Sequence, residues 1–188
     1  MKRHFILCVA VASLAACSSE PEVDMKNASV GDVVNEVQKT GVSEQYIRPG
    51  KWETKVVVED VDIPGMLAET KAQMKGMFAQ RQNVTINHCV TPEEAKKPGG
   101  KLFTGQDSKN CRYEHFTMGD GKVDAVMRCD GEQGSAMTMK MAGTYTPESS
   151  STRSEMQVNQ VSSGREGAMT IKARTETRRI GECDGKES

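Results

Sequence analysis

CRYEHFTMGDGKVDAVMRC, residues 111 to 129, is the stretch on which the fold turns. Two strand-length runs, Cys111 to Met118 and Lys122 to Cys129, flank Gly119-Asp120-Gly121, whose glycines permit the positive φ angles that a hairpin turn needs. In the second run Val123, Ala125 and Met127 alternate with Lys122, Asp124 and Arg128. That is the period of a strand with one face buried and the other wet. If the junction is a three-residue loop, Met118 pairs with Lys122 and Cys111 stands directly opposite Cys129, close enough for a disulfide, which leaves Cys89 to join Cys183. A two-residue turn would shift the register by one and favour Cys89–Cys111 with Cys129–Cys183 instead.

The pattern continues after the hairpin. Ser135–Thr146, Thr152–Val161 and Ala168–Ile180 read as further strands, broken at Pro147-Glu148-Ser149 and at Ser162-Ser163-Gly164, which makes an antiparallel meander. Before it, Trp52, Thr54, Val56 and Val58 share one face of a strand that Pro64-Gly65 ends. Met66 to Gln80 follows as a helix whose Met66, Leu67, Met74, Met77 and Phe78 lie near one face and are expected to cover one side of the sheet. Val84 and Ile86 mark a short strand, and Thr91-Pro92-Glu93-Glu94 opens a short helix with a capping box. The fold expected is α+β and mainly β: a twisted antiparallel meander, able to curl into a partial barrel, with one or two short helices.

The first residues carry a targeting signal. Lys2, Arg3 and His4 precede a short apolar run that ends in Leu14-Ala15-Ala16-Cys17, too short for a membrane-spanning helix, which needs about 20 residues. The last four residues resemble a bacterial lipobox, in which the chain is cut before a cysteine that carries the lipid. Residues 1–16 are therefore read as a lipoprotein signal peptide and Cys17 as the lipidated residue. Ser18 follows in place of the aspartate that retains lipoproteins at the inner membrane, which favours the outer one. Residues 17–47 are polar and mixed. Ser29 to Val42 could form a weak amphipathic helix through Val30, Val33, Val34 and Val37, but the region as a whole reads as a tether, with the domain at 48–183 and a tail at 184–188.

Without the leader, 23 basic residues stand against 26 acidic ones. No basic stripe invites nucleic acid. Seven aromatics remain after Cys17, so methionine, valine and alanine must build most of the core, and such a core benefits from covalent staples. Four cysteines past Cys17 supply them: Cys89, Cys111, Cys129 and Cys183. In an oxidising envelope two disulfides are the default. A zinc site is the competing reading, but no pair has CxxC spacing.

Taken together, RPGKWE at 48–53, CVTPEEA at 89–95, the cysteines around the GDGK turn, MTMKMAGTYTP at 137–147 and RRIGEC at 178–183 resemble the domain-of-unknown-function family DUF3617. The resemblance covers residues 48–183. It implies export, the four cysteines and one domain, and it brings no catalytic residue.

Candidate chemistry is sparse. Past Cys17 the histidines are His88 and His115, with no GxSxG, no HExxH and no glycine-rich phosphate loop. Each histidine reads as a structural or surface residue, His115 sharing the parity of Cys111 and Tyr113. Glu93 and Glu94 fit helix capping. Met137, Met139 and Met141 alternate along one strand, so their thioethers project from one face, where they form either core or a Cu(I) site. The function expected is a non-enzymatic, periplasm-facing lipoprotein that binds an apolar small molecule in the concavity of the sheet or a protein partner, with no cofactor. Other readings are an inhibitor or assembly factor acting through the loop Gly99–Asn110, and a methionine-rich copper protein.

Overall fold

The computed structural model describes residues 22–81, 85–96, 110–131, 134–162 and 165–185. Cys17, the leader and the loop from Gly99 to residue 109 lie outside the described residues. Eight strands form one antiparallel sheet: β1 Val23–Ser29, β2 Gly50–Asp62, β3 Thr85–Val90, β4 Cys111–Gly119, β5 Lys122–Asp130, β6 Ala136–Thr146, β7 Ser149–Ser162 and β8 Arg165–Gly181. Their order is β1-β4-β5-β6-β7-β8-β2-β3. The meander from β4 to β8 is the frame, and among the described residues the sheet is open, with β1 and β3 as its edges. Helices α1 Val30–Thr40, α2 Val42–Tyr46, α3 Ala68–Arg81 and α4 Pro92–Lys96 complete the described elements.

The tether reading of residues 17–47 is overturned from Val23 onward. β1 pairs with β4 along its length, Val23 opposite Met118 and Ser29 opposite Arg112, and α1 then folds back over the sheet. Ser29 caps α1 in a capping box with Asp32, while Gly41, in the left-handed conformation, ends it. The valines at 30, 33 and 37 point into the main core with Tyr113, Phe116, Met118 and Met127. β1 has no legible period because Asn27 adopts φ 49°, and its partner register skips that residue, so the alternation breaks within seven residues.

A second, smaller cluster joins Ile47, Trp52, Val90 and Ala95, and Tyr46 packs against both clusters. Trp52 donates its indole N–H to the Arg48 carbonyl (2.9 Å), and Arg179 Nε donates to the Pro49 carbonyl (2.7 Å). RPGKWE and RRIGEC thus build one corner of the fold. Gly50 is required there: a Cβ would lie 2.5 Å from Arg179 Nε, and its φ is +138°. Thr91 and Glu94 form the expected capping box, Thr91 N donating to Glu94 Oε2 (2.9 Å) and Glu94 N to Thr91 Oγ1 (3.1 Å).

α3 departs from expectation. It starts at Ala68 and lies against β2, but Met77 is 62% exposed and Leu67, just ahead of the helix, 75%, while Met66 and Met74 are partly buried, so only part of the expected apolar set turns inward.

Candidate functional site

The face of the sheet that carries α1 and α2 also carries aligned apolar rows. Cross-strand register places Met127, Met139, Met156, Ile171 and Val61 side by side on β5, β6, β7, β8 and β2. Beside that row run Cys129, Met137, Val158 and Met169 on one side, and Ala125, Met141, Ser154, Ala173 and Val58 on the other. Toward β5 the rows are core: Met127 is 1% exposed, and Met137, Met139 and Met141 pack against the main cluster. Among the described residues the substantial helix contacts fall on β1, β4, β6 and β2, not on β7 or β8. Ser154, Met156, Val158, Met169, Ile171 and Ala173 are nonetheless only half-exposed.

The sheet is also curved at this face. A Cβ on Gly143 would point to the same face as its neighbours Met141 and Tyr145, yet it would run into the Ser151 carbonyl and lie 2.7 Å from Thr152 Cα. The backbone of β7 therefore stands in the direction in which inner-face side chains project, and the sheet bends sharply toward that face here. Glycine allows such a bend because it has no Cβ to obstruct it. Such a bend turns the partly buried inner-face residues of β7 toward those of β6.

Along the same face the chemistry changes. Beyond Ser154 and Ala173 come Thr152 opposite Thr175, then Ser150 opposite Thr177, and Thr177 lies 3.3 Å from Thr54 across β2, Oγ1 to Oγ1. The face is apolar at one end and lined by hydroxyls at the other. These serines and threonines were missed in sequence because residues of intermediate polarity do not mark a buried face by themselves. Their shared parity with Met156, Val158 and Ile171 is the signal that could have found them.

The disulfides are Cys111–Cys129 and Cys89–Cys183, with Cα atoms 4.0 and 5.5 Å apart. The first arises by a different register from the one expected. The turn is the two-residue Asp120-Gly121, so Gly119 pairs with Lys122, and the extra residue is Glu114, a bulge between Tyr113–Met127 and His115–Val126. The bulge restores the offset that brings Cys111 opposite Cys129. Asp130 N donates to the Asn110 carbonyl (3.0 Å), which leaves the cysteines at a position without ladder bonds, where strands approach most closely.

The same bulge turns His115 away from the parity of Cys111 and Tyr113. It sits on the outer face with Nε2 2.5 Å from Asp124 Oδ1. His88 lies opposite Trp52, where desolvation pulls its pKa below the usual value against the opposing field of Glu94. The two histidines are not brought together. Glu93 and Glu94 open α4. Burial pushes the Tyr113 phenol up to about 12. Among the described residues no three His, Cys, Asp or Glu side chains are grouped to hold a metal ion.

On the outer face, a groove of about 360 Å³ is lined by Glu53, Lys55, Glu176, Arg178 and the hydroxyls of the β6–β7 hairpin. Its charges satisfy each other: Arg178 Nη2 is 2.9 Å and Lys55 Nζ 3.7 Å from Glu53 Oε1.

The four cysteines pair in two disulfides and the RPGKWE and RRIGEC corners meet, and residues 47–183 match the family described as protein of unknown function DUF3617. The chain belongs to the DUF3617 family. The family match begins at the corner, so β1 and all but the last residue of the segment that follows it lie ahead of the DUF3617 region while supplying part of its core. No curated protein and no solved structure matches the chain.

Proposed function

We propose that this DUF3617 protein is a periplasm-facing lipoprotein, anchored through Cys17 at the outer membrane, that binds an apolar or amphiphilic small molecule on the concave face of β7 and β8 without catalysis. The observation that carries the reading is the continuation of the apolar rows past the helices onto two curved strands. Size favours a small ligand over a protein. Two strands about 4.8 Å apart and five residues of each offer on the order of 150 Å², whereas a stable protein interface takes about 800 Å² from each partner. Methionine side chains adapt to varied apolar shapes, and the hydroxyl end suits a polar head.

Titrating the protein with a fluorescent long-chain fatty acid tests this. Saturable binding is expected, weakened more than tenfold by Ile171→Lys and little changed by Met156→Leu. No saturable binding to the folded wild type, or equal binding by Ile171→Lys, would sink the proposal.

A further inference from the structure

We infer that the anchored domain stands on the bilayer by one particular end: the β4–β5 turn at Gly119–Lys122 and the adjoining Pro147-Glu148 turn face the headgroups. The inference rests on the lipid anchor at Cys17 proposed above. With β1 beginning at Val23, only residues 18–22 separate the anchor from the sheet. Whatever their conformation, six Cα-to-Cα steps reach at most about 20 Å. A leash of the full 17–47 segment would have left the domain free to turn.

The place where the leash enters decides the orientation. Val23 pairs with Met118, and the Glu22 side chain lies beside Gly119, its Cγ 2.9 Å from where a Cβ would stand. The chain therefore joins the sheet at the β4–β5 turn. Tyr145 N donates to the Gly121 carbonyl (2.8 Å) and Arg48 N to the Pro147 carbonyl (3.0 Å), which places the β6–β7 turn and the start of β2 at the same end. The other ends of β7 and β8, 14 and 17 residues long, lie roughly 45 to 55 Å away along the strands. Arg48 and Lys122 are outnumbered there by Glu22, Asp120 and Glu148, so the contact is imposed by the leash and not by charge. Met127 is five residues up β5 from Lys122, about 17 Å along the strand, so a bilayer lipid would have to leave its leaflet to reach the apolar rows.

The test uses the lipidated full-length protein in phosphatidylcholine vesicles that carry a headgroup-labelled acceptor lipid. Single fluorophores are placed by Glu148→Cys or by Asn159→Cys, both exposed positions. Energy transfer is expected to be clearly stronger from 148 than from 159 and insensitive to added salt. Inserting about twenty Gly/Ser residues after Glu20 should erase the difference. Equal or reversed transfer, or a difference that survives the insertion, would overturn the orientation while leaving the anchor intact. Failure of the wild-type protein to associate with vesicles would overturn the anchor and the orientation with it.

Discussion

Two glycines make opposite predictions. At Gly143 the β7 backbone occupies the space a side chain would need, so Gly143→Val should cost about 1 to 3 kcal/mol or more, the usual penalty of overpacking. Gly76 lies within α3 with nothing within 4 Å of a Cβ, so Gly76→Ala should stabilise by roughly 0.5 to 1 kcal/mol. Urea denaturation of both variants checks the pair, and destabilisation of equal size would refute the bend at Gly143. His88 gives a pH signature. Its pKa in the folded chain lies below the reference value of 6.5 because desolvation disfavours the charged form. The unfolded chain therefore takes up the proton first as pH falls, and stability declines below about 6.5. His88→Gln should flatten that decline in melting temperature between neutral and mildly acidic pH. The Tyr113 hydroxyl is buried without a hydrogen-bond partner among the described residues. Tyr113→Phe should therefore leave stability equal or higher, an outcome that a loss of 1 kcal/mol or more would contradict.

At the scale of elements, the two disulfides constrain loops of different length. Cys111–Cys129 spans 18 residues of sequence and Cys89–Cys183 spans 94. Chain entropy predicts losses of about 3 and about 4.7 kcal/mol on removing each pair. Paired Cys→Ala variants compared in urea should keep that order. The Cys111–Cys129 hairpin reaches the expected pairing by another route. Counting residues from a three-residue turn places Cys111 opposite Cys129. The structure instead puts the extra residue at Glu114 and shortens the turn by one, and the two offsets cancel for the cysteines but not for His115. Turn chemistry favours positive φ at Asp120 and Gly121, which are 48° and 68°, but nothing local marks Glu114 as a bulge. It faces Asn27, at φ 49°, on β1, a strand far away in the sequence.

On the scale of the whole molecule, the reassigned N-terminal segment carries the largest consequence. Residues 23–47 supply Val23, Ala28, Val30, Val33, Val37 and Val42 to the core, all 7% exposed or less. A protein beginning at residue 22 should fold cooperatively, whereas one beginning at residue 48 should expose the aromatic face of β4 and lose its sharp thermal transition. Cooperative melting of the shorter protein would restore the tether. Much was nevertheless settled locally. Period-two alternation, turn residues and a capping box announced the meander and α4, because those features depend on neighbours within a few residues. The four cysteines and the signature segments announced the family in the same way. Only the tertiary structure decided where β1 pairs, that α1 is core, that Leu67 and Met77 stay exposed, and that Gly143 bends the concave face. A strand with a bulge, or a glycine that lets two backbones meet, has no periodic signal of its own. Its meaning comes from a partner distant in sequence, and that partner is chosen by packing.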